Sequence, residues 1–465
     1  MNHTLRMSGR QHAALFAHLF PGDGLEAVAV ALCGRMVEGS KTALLVHKLE
    51  LIPYADCPVR KRDRLTWKTD RFHPLLADAA KHGFALLKIH SHPGGYAQFS
   101  EFDDRSDREL FRSVFGWIDS DLPHGSAVML PDGQVFGRAV YPEDVFHPFG
   151  RVSVAGDDLH FWDYGSTPTG ESDALIRNRQ LFGEGTMRRL KSLSVAVVGY
   201  SGTGSIVVEQ LARLGVGRLL VIEYDRTERK NLNRILNTTM EDAEANRLKV
   251  EVALRTVRAM GLGTEIEIVA GNLIDPAVVR RVAGCDVLFG CVDSVEARHL
   301  MNRLATHYLL PYFDVGVRLD ADGRGGIDQV CGSAHYVQPG GSSLFSRGVY
   351  TLEEVRAEGL RRTDPAAYAD LVKENYIKGV RVDRPAVISV NMLVSSLAVN
   401  DFLARLHPFR LDPNGEFATQ TVSLTQGEFM KFPDGEPCSM FASRVGRGDT
   451  RPLLGMPELT EGESR

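Results

Sequence analysis

The sequence has few cysteines and few aromatic residues, and it lacks a strong excess of charge of either sign. Its 465 residues include six cysteines, and 8% of the residues are aromatic. The cysteines are scattered and form no Cys-x-x-Cys pair: Cys33, Cys57, Cys285, Cys291, Cys331 and Cys438. Cysteines that are this few and this far apart do not predict a disulfide framework.

The charge and apolar patterns exclude two further classes of protein. The formal net charge is -5, and charged residues make up 24% of the chain, so no broad basic field predicts binding to nucleic acid or to a membrane surface. No apolar run approaches the roughly 18 residues of a membrane span, and the N-terminus lacks the apolar core of a signal peptide. We therefore expect a cytoplasmic globular protein, long enough for two domains.

A glycine-rich turn joins two apolar segments in the middle of the chain. Gly199, Gly202 and Gly204 follow the apolar run 195–198, and a second apolar run ends at Glu223. Glycines let the backbone approach phosphate oxygens, and the helix after the turn presents its N–H groups to anionic charge. Glu223 can accept hydrogen bonds from ribose hydroxyls. The pattern predicts a nucleotide-binding βαβ unit.

Charged residues farther along favour a triphosphate over a dinucleotide, which the glycine turn alone would also fit. Asn231 and Arg234 follow the second apolar run, Lys249 comes next, and Asp293 follows a third apolar run. Cations stabilise the charge that moves onto pyrophosphate, and a carboxylate can hold magnesium. We therefore predict ATP and Mg²⁺ as ligands.

A second chemical motif lies in the first third of the chain. His90 and His92 are separated by one residue on a predicted strand, so both imidazoles point the same way. Asp103, at the start of the next predicted helix, can complete three protein ligands. Three ligands leave one position of a tetrahedral zinc ion open for water, which is the arrangement of a catalytic site.

Residues 175 to about 430 resemble the adenylating domain of the ubiquitin-activating superfamily, which contains ThiF and MoeB. The matching landmarks are the glycine turn, Arg177-Asn-Arg179-Gln180, Glu223-Tyr-Asp225, Asn231-Leu-Asn-Arg234, Lys249, and Val292-Asp293 with Arg298. The resemblance implies that ATP activates the C-terminal carboxylate of a ubiquitin-like β-grasp protein as an acyl-adenylate. It also implies a homodimer.

The same resemblance implies roles for individual residues. Glu223 would bind ribose, Arg234 and Lys249 would contact the phosphates, Asp293 would coordinate magnesium, and Arg179 would reach the nucleotide of the other subunit. The full nucleotide-binding set is then Gly199, Gly202, Gly204, Glu223, Asp225, Asn231, Arg234, Lys249 and Asp293.

The histidine motif in the first third of the chain resembles the JAMM signature of the JAB/MPN metalloprotease family. It reads His90-Ser-His92-Pro93, followed by Ser100-x-x-Asp103. The resemblance implies that His90, His92 and Asp103 hold zinc and that Ser100 helps to stabilise the oxyanion. It also requires a glutamate on an early strand as general base. We select Glu26, with Glu38 as the alternative.

The two resemblances predict an α/β protein with an MPN-type domain followed by a Rossmann-like ThiF/MoeB domain. We expect the first domain at 1–160, a linker at 161–174, the second domain at 175–445, and a mobile or loosely docked tail at 446–465. The composition of 156–172 is that of a linker. We expect one last strand pair within 133–154 and a single helix over 240–260.

Together these features predict adenylation of a ubiquitin-like protein combined with zinc-dependent isopeptidase activity or C-terminal processing, in a bacterial ubiquitin-like conjugation system. Alternatives are activation and trimming of a sulfur carrier in cofactor or metabolite synthesis, or a non-catalytic binding module. Cys438 is the only late candidate for a thioester. We therefore expect a MoeB-like transfer to a conjugating enzyme or sulfur donor. Gly341–Ser346 stands where many ThiF-like domains carry zinc-binding cysteines, so a structural zinc is not expected there.

Overall fold

The computed structural model of the chain describes residues 2–165, 173–322, 324–374 and 385–459. These residues form two compact units. The first contains the described residues up to 165 together with Thr306–Leu309 and the segment from Ser443 onward. The second contains the remainder. Within the described residues, no helix is both long and apolar enough to cross a membrane.

The first unit is a mixed sheet with helices on both faces. Its helices are α1 (Gly9–Leu19), α2 (His73–His82) and α3 (Glu101–Trp117). Its strands are β1 (Asn2–Ser8), β2 (Val28–Glu38), β3 (Lys41–Leu51), β4 (Val59–Arg60), β5 (Leu65–Thr66), β6 (Ala85–Ser91), β7 (His124–Met129), β8 (Val135–Tyr141), β9 (Val145–Pro148), β10 (Arg151–Ala155) and β11 (Leu159–Asp163).

In the described part of this unit, nine strands form one sheet in the order β11-β10-β1-β3-β2-β6-β7-β8-β9. Strand β6 lies inside the sheet, antiparallel to β2 and parallel to β7, and all its residues are buried. One apolar core, which includes Leu15 of α1, covers one face of the sheet. A second core, which includes Leu76 of α2 and Phe111 of α3, covers the other.

Two expectations about the end of this unit need correction. The region 133–154 holds three strands instead of one pair. Leu159–Asp163 forms β11 and pairs with β10, because Leu159 and Phe161 bury their side chains and Trp162 packs against the core. The polar composition of 156–172 therefore concealed a strand. Residues 166–172 of the expected linker lie outside the described residues.

The expected loose tail is packed against the first unit in its described part, up to Leu459. Gly446 accepts a hydrogen bond from the Gly34 N–H at 3.0 Å, and Asp449 donates its N–H to the Arg35 carbonyl at 2.8 Å. Leu454 and Leu459 are buried. The exposed, charged composition of this segment hid these few contacts from sequence reasoning. Residues 460–465 lie outside the described residues.

The second unit is a largely parallel sheet flanked by helices. Its helices are α4 (Ile176–Ser192), α5 (Gly204–Arg213), α6 (Met240–Glu244), α7 (Lys249–Met260), α8 (Pro276–Ala283), α9 (Val295–Tyr308), α10 (Leu352–Thr363), α11 (Pro365–Lys373) and α12 (Ile388–Leu406). Its strands are β12 (Ser194–Val198), β13 (Arg218–Ile222), β14 (Glu265–Val269), β15 (Val287–Gly290), β16 (Tyr312–Ala321), β17 (Ile327–Val337), β18 (Thr419–Ser423) and β19 (Glu428–Phe432).

Strand order explains where this unit can bind a ligand. The described strands run β14-β13-β12-β15-β16-β17-β18-β19, and the first five are mutually parallel. Chain order reverses on either side of β12, which creates a topological switch point beyond its carboxyl end. The glycine turn leaves β12 at this point.

The single helix expected over 240–260 is two helices, α6 and α7. Asn246 adopts a left-handed conformation with φ of 48°, which interrupts the helix. Lys249 then begins α7 and donates its backbone N–H to the Asp225 carbonyl at 3.0 Å. The break therefore places Lys249 next to the end of β13.

Candidate metal centre and nucleotide site

The predicted metal ligands converge in the first unit. His90 lies near the end of β6, His92 directly follows the last residue of that strand, and Asp103 lies in the first turn of α3. The Nε2 atoms of the two histidines are 3.1 Å apart. His90 Nε2 lies 3.0 Å from Asp103 Oδ1, and His92 Nε2 lies 3.4 Å from Asp103 Oδ2. All three side chains are buried.

Hydrogen bonds around this triad orient the ligand atoms. The Tyr96 carbonyl lies 2.7 Å from His92 Nδ1, which assigns the proton to Nδ1 and leaves the Nε2 lone pair free to ligate. Ser100 caps α3 and donates its N–H and hydroxyl to Asp103 Oδ2, each at 2.7 Å. The three converging donors fit a tetrahedral cation such as zinc. His90 Nδ1 is buried and has no hydrogen-bond partner among the described residues, so the polar contacts of this ring are those of Nε2.

Of the two candidate general bases, the structure brings Glu26 to the triad. Val28, at the start of β2, pairs with His90, so Glu26 lies at the same end of the strand as the histidines. Glu38 ends β2 and pairs with Lys41 at the opposite end. Burial raises the pKa of Glu26 to about 7, with His92 opposing the rise and Asp103 adding to it. These charges act on Glu26 because it lies near the metal ligands.

Sequence reasoning missed a buried charge network that sets the position of α3. Lys88 pairs with Asp107, and Arg138 donates to Asp107 Oδ2 at 2.6 Å. Lys88 lies two residues before His90, and Asp107 lies one helical turn after Asp103. The pair therefore fixes the register of α3 on β6. The signal available in the sequence was the spacing of Lys88 with the histidines and of Asp107 with Asp103.

The predicted nucleotide residues gather beyond β12 and β13 in the second unit. A side-chain carbon at Gly202 would lie 2.3 Å from Asn391 Nδ2, and one at Gly204 would lie 1.9 Å from the Gly199 carbonyl oxygen. Gly199 itself has φ of 93°. The backbone contacts at Gly199 and Gly204 therefore require glycine, and all three glycines are buried in a tightly packed turn.

Glu223 and Lys249 form the polar part of this site. Glu223 accepts hydrogen bonds from the N–H groups of Tyr200, Tyr224 and Asp225 at 3.2, 2.9 and 3.0 Å. Burial raises the pKa of Glu223, while the Lys249 charge opposes the rise. Lys249 is buried, and its Nζ lies 2.8 Å from Asp225 Oδ2. The Lys249 ammonium group thus connects the start of α7 to the segment that follows β13.

The other predicted residues occupy different positions around the turn. Arg234 has its Cδ 3.5 Å from the side-chain position of Gly202. Asn231 is buried and accepts from the Glu228 N–H at 2.8 Å. Asp293 follows β15 and is exposed. Burial raises the pKa of Tyr224, and the charges of Asp225, Glu223 and Asp293 add to this rise. These residues therefore share the carboxyl edge of the sheet.

Arg179 lies on α4, ahead of β12 in the chain. It forms an ion pair with Glu184 at 3.5 Å. Its predicted contact with the nucleotide of a second subunit remains a prediction.

Helix α12 contributes residues that sequence reasoning missed. Asn391 packs against Gly202, and Ser395 donates its hydroxyl to the Thr203 carbonyl at 3.2 Å. Both side chains are buried, as are Asp401 and Arg405 farther along the same helix. The spacing of Asn391 and Ser395 at i and i+4, which places them on one helix face, was the available signal.

Comparison with known families agrees with this architecture. The second unit is a Rossmann-type α/β domain, and residues 175–430 match the ThiF family. This match spans more than half of the sequence, so the chain belongs to the ThiF family. Residues 10–135 match the prokaryotic homologs of the JAB domain. The predicted fusion of a JAB/MPN-like domain with a ThiF/MoeB-like domain is therefore confirmed, as is the α/β fold class.

Curated relatives resemble the second unit. Ubiquitin-like modifier-activating enzyme 5 of Drosophila willistoni is 26% identical over 264 residues, which are 53% of this chain and 62% of that enzyme. The Culex quinquefasciatus enzyme is 25% identical over 266 residues, covering 53% and 64%. The chain thus spans less than two thirds of the length of these relatives. Among solved structures, E. coli MccB with MccA-N7isoASN has 18% identity and a TM-score of 0.46, covering 58% of this chain and 75% of that one.

Proposed function

We propose that the chain uses ATP to adenylate the C-terminal carboxylate of a ubiquitin-like protein. We also propose that its metal centre hydrolyses amide bonds formed by the C-terminal carboxyl group of such a protein. The observation that carries the proposal is the cluster of Glu223, Lys249 and Arg234 around the glycine turn of a ThiF-family chain. Its curated relatives are named ubiquitin-like modifier-activating enzymes.

In this proposal the residues around β12 divide the work of nucleotide binding. The backbone at Gly202 and the N-terminus of α5 contact phosphate oxygens, and Glu223 accepts from the ribose hydroxyls. Arg234 and Lys249 stabilise the charge that develops on pyrophosphate. Asp293 holds magnesium, which neutralises phosphate charge. Arg179 serves the second site of a homodimer.

The positions of the thiols support transfer of the adenylate to an external nucleophile. Cys438 is 3% exposed, and none of the six cysteines is fully exposed. A thioester needs a thiol that substrate can reach. We therefore assign the accepting nucleophile to another protein, such as a conjugating enzyme or a sulfur donor.

The metal centre provides the second activity in this proposal. His90, His92 and Asp103 would hold zinc, which would supply Lewis acidity toward a water molecule at neutral pH. Glu26 accepts the proton of the attacking water and passes it to the leaving amine. Ser100 holds Asp103 in place through its two hydrogen bonds. The products are a free C-terminal carboxylate and an amine.

Intact mass measurement tests both activities in one preparation. The full chain is incubated with magnesium-ATP and each candidate β-grasp protein, alongside the variants Asp293→Asn and His92→Ala. Asp328→Asn and His73→Ala, at exposed positions, are the matched controls. We expect an AMP adduct of the partner that only Asp293→Asn loses, and chelator-sensitive cleavage of partner fusions that only His92→Ala loses. Absence of any adduct with every candidate, despite measurable ATP binding, would refute the proposed substrate class.

A further inference from the structure

A cavity of about 350 Å³ lies next to the candidate metal centre in the first unit. Part of its wall is the loop residue Phe99, which directly precedes Ser100. Another part is Phe136, whose ring centroid lies 6.4 Å from that of His92. Phe146 and Phe149 complete an aromatic lining. Phe99 and Phe136 therefore lie between the cavity and the metal ligands.

The charged side chain in the wall of the cavity, Arg138, is paired with two carboxylates. Arg138 is held between the rings of Phe99 and Phe146, at 3.8 and 3.9 Å from their centroids. Its terminal nitrogens donate to Asp104 and Asp107, each at 2.6 Å. An occupant therefore meets no uncompensated charge, which favours an apolar group.

We propose that this cavity binds one large apolar side chain, preferably aromatic, of the peptide cleaved at the metal centre; the inference rests on the proposed proteolytic function. Its volume falls in the range of about 300–1,000 Å³ that is usual for ligand pockets. An extended residue advances about 3.3 Å, so a wall ring 6.4 Å from His92 serves a residue within about two positions of the scissile bond. Phe99, Phe136 and Phe146 are then specificity-determining residues.

The test uses pairs of synthetic peptides with a Gly-Gly core, which carry either Phe or Ala at each of the two positions on both sides of the core. Binding to the zinc-free full chain is measured by fluorescence anisotropy, and cleavage by the zinc-loaded chain is measured by mass spectrometry. We expect Phe at one position to tighten binding about tenfold, as burial of a large apolar side chain predicts.

The variant Ala97→Trp fills the cavity from its exposed rim, and Ala97→Ser is the matched control. We expect the tryptophan to abolish the preference for Phe and the serine to retain it, with equal zinc content in both proteins. Equal binding of Phe and Ala peptides, no binding of either, or a preference that survives Ala97→Trp would overturn the inference.

Failure of the inference can be told apart from failure of the proposed function. Cleavage without any preference for Phe would refute the cavity assignment while the protease proposal stands. Preferential binding of Phe peptides without any cleavage would support the cavity as a peptide site and count against the protease proposal.

Discussion

At the scale of single residues, His124 makes the first unit sensitive to acid. It is fully buried on β7, and its Nδ1 accepts the Leu86 N–H at 3.0 Å. Burial, aided by the charge of Arg35, lowers the pKa of His124 to about 3. An unfolded histidine titrates near 6.5, so the unfolded chain binds the extra proton between these values. The free energy of unfolding is therefore unaffected by this group above about pH 6.5, and it decreases as the pH falls from there toward 3.

We expect His124→Asn to flatten this dependence. Each pH unit below about 6.5 costs the wild-type chain up to roughly 1.4 kcal/mol through this one group. Urea unfolding at pH 7.0 and 5.0 measures the difference, and the exposed His82→Asn is the control. The same acid sensitivity in His124→Asn and in the wild-type chain would contradict the assignment.

Glu26 is the second prediction at this scale, and it separates the two candidate bases. We expect Glu26→Gln to lower peptide cleavage at least 100-fold, since a general base contributes about 10²–10⁴-fold, while zinc content stays the same. Glu38→Gln, at the far end of β2, should cleave like the wild-type chain. Cleavage rates together with metal analysis decide the matter. A large loss in Glu38→Gln would reverse the choice.

At the scale of elements, the packing of α3 on β6 determines whether the metal ligands meet. Asp107 is fully buried between Lys88 and Arg138. Removing one partner of a buried ion pair typically costs about 3–5 kcal/mol. We expect Asp107→Asn to lower the free energy of unfolding by about this amount and to weaken zinc binding, because α3 loses its register.

Asp104→Asn is the matched control for that variant. Asp104 also pairs with Arg138, at 2.6 Å, but its side chain is 35% exposed. We expect it to cost less than about 1 kcal/mol. Denaturant unfolding and competitive zinc titration provide the two readouts. Full zinc affinity in Asp107→Asn would show that α3 does not depend on this pair.

The turn between β12 and α5 permits a second test at this scale. A side chain at Gly204 would lie 1.9 Å from the Gly199 carbonyl oxygen, so Gly204→Ala must displace the turn. We expect at least a tenfold loss of ATP affinity, measured by calorimetry. Gly185→Ala on α4 meets nothing within 4 Å and should bind ATP normally. Normal ATP affinity in Gly204→Ala would remove the turn from the site.

At the scale of the whole chain, the C-terminal segment belongs to the fold of the first unit. Gly446 and Gly448 cross β2 and β3 so closely that a side-chain carbon at either would lie 2.2 Å from a backbone oxygen. His47 Nδ1 lies 2.6 Å from the Val445 carbonyl oxygen, and Leu453 is buried. This segment covers backbone that would otherwise lose its partners.

We therefore expect a chain that ends at residue 442 to melt several degrees below a chain that ends at residue 459. The shorter chain loses the hydrogen bonds at Gly34 and Arg35 together with the buried leucines. Calorimetry of both truncations and the full chain measures the effect. Identical melting of the two truncations would show that the segment adds nothing to stability.

Sequence patterns were sufficient for the parts of this protein that depend on local chemistry. The order of the two domains, the glycine turn, and the His90, His92 and Asp103 motif can all be read along the chain, because each depends on residue type and short spacing. The same holds for β6, whose apolar run marks a buried strand.

Only the tertiary structure decided features that join distant segments. It brought Glu26 and not Glu38 to the histidines, because strand pairing sets which end of β2 meets His90. It packed Asn391 against Gly202 and laid the C-terminal segment across the first unit. Such contacts join residues far apart in sequence, and no local periodicity records which strand ends, helices and glycines will meet.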